Sequence, residues 1–290
     1  MEKQKTVAAI HDISGFGKCS LTVALPILSA TGIGVSVLPT AVLSTHTGGF
    51  TGYTYRDLTE DMLPFAKHWK SLNLKFDALY SGFLGSFEQI SIVSDIFDMF
   101  KTKDNIIMVD PVMADNGKLY PTYTPQMAGG MAQLCKKADI IVPNLTEAAF
   151  LLGEEFYDGP YERSYIEERL IRLSKFGPKR VVLTGVWFSP ELLGCAGYNR
   201  ITGKFSYAFS PRVQGFYHGT GDVFGSALLA GLLNGMELDK AMQVAVDFTY
   251  GSIVRTKESG ADLRFGVNFE AGLPTLIQQF GIGFKSESSR

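Results

Sequence analysis

Short apolar runs alternate with longer stretches of helical periodicity along the first two thirds of the chain. Residues 6–10 form an apolar run that stops at the turn-rich His11-Asp12-Ile13-Ser14-Gly15-Phe16-Gly17, ahead of an apolar-periodic segment at 20–30. That order reads as strand, Gly-rich turn, helix. The alternation continues with strand 35–43, helix 61–72, strand 76–80, helix 87–100, strand 105–109, helix 125–136, strand 139–142, helix 161–176 and strand 180–184. Strands alternating with helices predict right-handed crossovers and an α/β fold whose mostly parallel sheet carries helices on both faces.

Two interruptions break this rhythm. Residues 47–55, with Gly48, Gly49 and Gly52 among Thr and aromatics, read as a short ribbon or flap rather than a crossover helix. Residues 194–198 and 204–209 read as strands of a hairpin, joined by a polar turn at 199–203, that adds an antiparallel edge. Beyond the hairpin the pattern is helical, at 223–233, 238–255 and 269–280. No internal repeat or linker divides the chain. The expectation is a single domain over residues 1–284, with 285–290 composed like a disordered end.

Composition narrows the classes of function. The 290 residues are 46% apolar and 19% charged, and 27 Lys+Arg against 29 Asp+Glu give a formal charge of −2. Such a balance offers no general attraction to nucleic acid. Cys19, Cys135 and Cys195 are odd in number and widely spaced, with no CxxC pair or His cluster, which predicts free thiols in a reducing compartment. The first five residues are charged and lead into a run too short for a signal-peptide core. No run approaches the roughly 20 apolar residues of a membrane span. The expectation is a soluble, cytoplasmic protein.

The sharpest local signal is His218-Gly219-Thr220-Gly221-Asp222-Val223-Phe224-Gly225-Ser226, a glycine-rich turn opening into an apolar helix. Successive main-chain N–H groups at a helix start, aided by the positive end of the dipole, form an anion site. A fixed carboxylate there would repel a permanently docked pyrophosphate but suits a phosphoryl group in transfer. Asp222 would accept the proton of an attacking hydroxyl while the amides of Gly219, Thr220 and Gly221 stabilise charge on the phosphoryl oxygens. Read on local chemistry alone, a helix-capping aspartate fits equally well. Two other phosphate motifs fail. Gly17-Lys18 is followed by Cys19, and the first Walker glycine would fall at Asp12; the third glycine of GxGxxG after Gly15-Phe16-Gly17 would fall at Ser20.

Gly219-Thr220-Gly221-Asp222 near the start of a late helix resembles the ribokinase superfamily. So do Asp110-Pro111-Val112-Met113 at a strand end, Pro143-Asn144-Leu145-Thr146-Glu147 after the next strand, and Leu183-Thr184-Gly185 after another, in the order found in its vitamin kinases. Ser44-Thr45-His46-Thr47-Gly48 and Ser81-Gly82-Phe83-Leu84-Gly85-Ser86 are similar to segments of pyridoxal kinases. Two departures stand out. Asp12 occupies a position where those kinases usually carry Ser, and Asp12-Ile13-Ser14-Gly15 with His218-Gly219-Thr220-Gly221 resembles hydroxymethylpyrimidine kinases, which usually carry Cys at the position of Asp222.

The resemblance implies a ribokinase-like three-layer fold with a small flap. It also implies an ATP- and magnesium-dependent kinase acting on the 5′-hydroxymethyl group of a B6 vitamer, with a hydroxymethylpyrimidine or dual-specificity kinase as the alternative and a homodimer as the assembly. Whether a monovalent cation is required stays open. Within that picture Asp222 is the base. Asp110, Asn144 and Glu147 hold magnesium and its waters, since hard cations take oxygen ligands. Asp12, Thr45, His46, Thr47 and Phe83 receive the vitamer ring. Asp115 and Lys118, in the polar Asp115-Asn116-Gly117-Lys118-Leu119-Tyr120, close over the phosphates; Asn144, Thr184 and Gly185 face the nucleotide, and Val246 and Thr249 wall the adenine. A non-catalytic vitamin-binding protein on the same fold would need neither base nor metal ligands.

Overall fold

The computed structural model describes residues 4–281, so the 285–290 tail lies outside the described residues. Nine strands form one sheet. In chain order they are β1 (Thr6–Ser14), β2 (Gly34–Leu43), β3 (Tyr55–Asp57), β4 (Ala78–Ser81), β5 (Ile106–Val109), β8 (Ile140–Ile141), β9 (Arg180–Val186), β10 (Leu192–Asn199) and β11 (Lys204–Pro211). Two further short strands, β6 (Ala114–Asp115) and β7 (Lys118–Leu119), pair only with each other. The sheet runs β11-β10-β9-β8-β5-β4-β1-β2-β3. The pairings from β2 across to β9 are parallel, while β3, β10 and β11 join antiparallel at the two edges. The sequence-based fold class is therefore the observed one.

Alternation along the central strands sorts their side chains into two cores. Ile107 and Val109 of β5 face one layer, where α2 (Thr59–Ser71), α3 (Phe87–Phe100), α4 (Pro125–Lys137), α5 (Leu145–Leu152) and α6 (Arg163–Ser174) pack. Met108 of β5 and Tyr80 of β4 face the other, filled by α1 (Leu21–Ala30), α7 (Thr220–Leu233), α8 (Leu238–Ser259) and α9 (Leu273–Gln279). Ten of the fourteen residues of α7 are buried, which explains why its apolar character runs almost all the way round.

Four local differences from the sequence reading bear on the site. First, β1 does not stop at Ile10: His11 to Ser14 continue the strand, with a register shift against β2 between His11 and Ile13. Second, residues 45–54 form no regular ribbon; the excursion closes where Tyr55 of β3 pairs with Leu43 of β2. Third, α5 follows Asn144 directly, where the sequence reading saw only a strand end. Fourth, the helix expected at 269–280 is a 3-10 turn at Glu270–Gly272 followed by the shorter α9.

Candidate active site

Every parallel strand delivers its C-terminal end to the same edge of the sheet, and the predicted residues fall along that edge in spatial rather than chain order. Asp12 lies two residues before the end of β1, and Phe83 follows β4, beside β2 and its loop carrying Thr45, His46 and Thr47. Asp110 follows β5 and Asn144 follows β8, in the middle. Thr184 and Gly185 lie in β9, on the far side.

Gly219 opens α7 in the left-handed conformation (φ 76°), and a Cβ there would collide with the Lys18 carbonyl oxygen. No side chain caps this helix start, so its first amides stay available to an anion. Asp222 does not cap its own helix. Its Oδ2 accepts a hydrogen bond from the main-chain N–H of Ser20 at 2.8 Å, which removes the capping alternative. Burial pushes the Asp222 carboxyl up from 3.8 to about 7, opposed by the Ser20 bond and assisted by the charge of Asp12. Ser20, whose role nothing in the local sequence signalled, holds a positive φ of 54° and bridges to Ile13 of β1.

Asp110 is 8% exposed, and burial first, then the charges of Glu147 and Asp222, hold its carboxyl well above the usual range. Glu147 belongs to a capping box. Its carboxylate accepts from the N–H groups of Met113 (2.9 Å) and Asn144 (2.8 Å), while the Asn144 side chain accepts from the Glu147 N–H (2.9 Å) and donates to the Ala114 carbonyl (2.8 Å). Thus Asn144 and Glu147 first of all build the start of α5 and fasten it to the strand that carries Asp115. Among the described residues no group of three or more His, Cys, Asp or Glu side chains is arranged to hold a metal. The chemistry still fits a magnesium ion: the acids that oppose one another here are oxygen donors whose upward shifts a cation would reverse, with Asp110 the one not already committed to a capping box.

The β6–β7 hairpin carries Asp115 and Lys118 at its turn, and Gly117 at the tip donates its N–H to the Thr146 hydroxyl at 3.1 Å. Asp115 accepts from the Asn116 N–H, and burial raises its carboxyl. Lys118 is exposed.

On the β1–β2 side, His46 is a strap. Its Nδ1 accepts from the Gly48 N–H at 3.0 Å and its Nε2 lies 2.6 Å from the Arg264 carbonyl, so both ring nitrogens are committed to main chain and the ring is neutral. The rings of Phe50 and His218 pack beside it, at 4.9 and 5.0 Å between centroids. Thr45 bonds to the His46 carbonyl, Thr47 is exposed, and Phe83 is half-buried against Tyr123. Asp12 is 4% exposed; its Oδ2 accepts from the Ser14 hydroxyl at 3.2 Å, and its Oδ1 takes no protein hydrogen bond.

On the β9 side, Gly185 (φ 75°) is the extra residue of a bulge against β10, and the Thr184 N–H donates to the Pro143 carbonyl. Val246 is 5% exposed and packs into the core on α8. The Thr249 hydroxyl donates back to the Ala245 carbonyl. A groove of about 480 Å³ beside it is lined by Pro211, Arg212 and Val213 at and after the end of β11 and by Tyr250, Val254, Lys257 and Glu258 of α8.

Comparison with known proteins gives this geometry a family. The phosphomethylpyrimidine kinase family matches residues 29–265. The chain belongs to that family. A candidate phosphomethylpyrimidine kinase of Bacteroides thetaiotaomicron, also solved in a crystal form with pyridoxal, is 40% identical and superposes with a TM-score of 0.92 over 95% of this chain and 94% of that one. Pyridoxal kinase of Lactobacillus plantarum is 30% identical, with a TM-score of 0.87 over 95% and 98% of the two chains. A candidate pyridoxal kinase of Caenorhabditis elegans is 30% identical over 93% of this chain and 87% of its own. The match to a fission-yeast relative spans 63% of that protein's length. Membership of the phosphomethylpyrimidine kinase family, with pyridoxal kinases among its relatives, places the chain in the ribokinase superfamily. It makes it a kinase-type phosphotransferase with a hydroxyl acceptor. No described helix is long and apolar enough to cross a membrane.

Proposed function

We propose that the chain transfers the γ-phosphoryl group of ATP to the 5′-hydroxymethyl group of a B6 vitamer. The observation that carries this reading is Asp222: an acid poised near neutrality beside an uncapped helix start, tethered through one oxygen only. In its ionised form Asp222 takes the proton of the vitamer hydroxyl as oxygen attacks phosphorus, and the amides of Gly219, Thr220 and Gly221 hold the phosphoryl oxygens. Asp110 would hold magnesium, with Glu147 and Asn144 behind it through water, and the ion would neutralise phosphate charge. Asp115 and Lys118, paired across the β6–β7 hairpin, would close over the phosphates. Thr184 and Gly185 face the nucleotide, whose adenine would occupy the groove by Tyr250 and Val254. The vitamer ring would lie between Asp12, Thr45, His46, Thr47 and Phe83.

The matching family's own description favours a second reading, in which the acceptor is a hydroxymethylpyrimidine. Purified protein given ATP, magnesium and, separately, pyridoxal, pyridoxamine, pyridoxine and 4-amino-5-hydroxymethyl-2-methylpyrimidine decides between them. Turnover of at least one vitamer at or above the pyrimidine rate is expected; turnover of the pyrimidine alone rejects the vitamer reading. We also propose a homodimer built on the β3 edge, where Val42 and Tyr55 are 41% and 43% exposed. Light scattering should return twice the chain mass, and Val42→Lys should lower it.

A further inference from the structure

Asp12 is a buried acid that the phosphoryl-transfer step does not use. It stands where β1 and β2 lose register, with Thr40 and Ala41 of β2 falling between the pairs His11–Pro39 and Ile13–Val42. Such a bulge re-aims a side chain. The Ser14 hydroxyl donates to Oδ2 at 3.2 Å and the Ser20 hydroxyl lies beside the carboxylate, yet no protein donor meets hydrogen-bond geometry at Oδ1. No Lys or Arg among the described residues forms an ion pair with it. The nearby imidazole of His46 cannot supply a cation without breaking its bond from Gly48. A buried oxygen left without a donor costs about 1–3 kcal/mol, and more when charged, so this one calls for a donor from the ligand.

Its position relative to the base narrows which part of the ligand that is. Ser20 donates its N–H to Asp222 and bridges to Ile13, the residue after Asp12, so the two acids flank a single residue. In one of its two ring orientations, a substrate that sets its hydroxymethyl arm against Asp222 turns the neighbouring ring substituent toward Asp12.

Building on the kinase reading above, we propose that Asp12 is a specificity residue. It selects hydroxymethyl heterocycles that carry an amino N–H beside the hydroxymethyl arm, pyridoxamine and 4-amino-5-hydroxymethyl-2-methylpyrimidine, over the aldehyde pyridoxal. The amino group gives the free oxygen its donor. An aldehyde sets a second acceptor against it, and a site built to bond an N–H discriminates strongly against analogues that lack one.

The test compares wild type with Asp12→Ser across pyridoxamine, pyridoxal, pyridoxine and the aminopyrimidine, reading kcat/KM for each and, without ATP, the rise in Tm that each ligand produces. The serine hydroxyl can donate to an aldehyde. The ratio of kcat/KM for pyridoxamine over pyridoxal should fall roughly 10- to 100-fold, the range of a hydrogen bond to a charged group. The extra Tm rise with the amines should vanish alongside it. An unchanged ratio overturns the proposal while leaving the kinase reading intact. Equal losses for pyridoxamine, pyridoxine and pyridoxal place Asp12 on the shared ring nitrogen and also overturn it. Failure of wild type to phosphorylate any of the four alcohols rejects the kinase reading itself, and this proposal with it.

Discussion

Asp222 shows how one residue's surroundings select between two roles that sequence alone leaves balanced. A capping aspartate would accept from the second or third amide of its own helix; this one accepts from Ser20, 202 residues away in sequence. Asp222→Asn should lower kcat by about 100- to 10,000-fold, the usual contribution of a general base, with the circular-dichroism spectrum unchanged. Because burial raises this carboxyl to about 7, only the ionised fraction is a base, so kcat/KM of the wild type should fall as pH drops through about 7. Stability runs the other way. With the folded value above the unfolded one, the native state binds the extra proton, and that stabilisation is lost as pH rises through about 7. The Tm of Asp222→Asn, relative to wild type, should therefore be higher at pH 8 than at pH 5; equal differences at both would show that the carboxyl is not shifted. Residue types and order made Asp222, Asp110 and Asp12 visible as acids at strand and helix ends. What they touch was not legible, because Ser20, Glu147 and His46 act through main-chain partners that only the fold brings near.

At the scale of elements, the start of α7 and the start of α5 are built differently. The first is held by a glycine pressed against the Lys18 carbonyl, the second by reciprocal side-chain caps. Gly219→Ala should displace the turn, because the added methyl meets main chain and the left-handed φ is unfavourable for alanine. A loss of at least about 100-fold in kcat/KM is expected, in keeping with the weight of a single oxyanion-type donor. A near-normal rate would mean that the amides do not face the reacting phosphate. Asn144→Ala removes the α5 cap and the bond to Ala114, and should cost about 1–2 kcal/mol in urea denaturation. The Asn-x-x-Glu spacing that signals this cap was present in the sequence. The helix itself is hard to read there, because α5 has only eight residues and its Ala-Ala-Phe-Leu-Leu end shows no helical stripe. The extension of β1 through Ser14 was hidden for the opposite reason: His, Asp and Ser are poor strand formers, and tertiary burial overrides that preference.

Across the whole molecule, sheet order turns a list of motifs into a row of residues along one edge of the sheet. In the chain, Asp12 and Gly219 stand at opposite ends; in the sheet, β1 lies between β4 and β2, and α7 packs over the central strands next to α1. The alternation of elements made the parallel sheet legible, yet strand order and the antiparallel edges give the molecule its two sides. One side, from β4 to β2, gathers the residues proposed for the vitamer; the other, from β9 to β11, gathers those proposed for the nucleotide; Asp110 and the start of α7 lie between. Substitutions on one side should then leave the KM for the other substrate unchanged. Tyr250→Ala in the groove beside β11 removes an aromatic wall, and a ring contact of this kind corresponds to a rise of roughly 2- to 12-fold in the KM for ATP. Initial rates measured at saturating vitamer and then at saturating ATP separate the two constants. A rise in the vitamer KM of equal size would show that the groove is not a separate nucleotide site, and that the division of the sheet into two substrate sides is wrong.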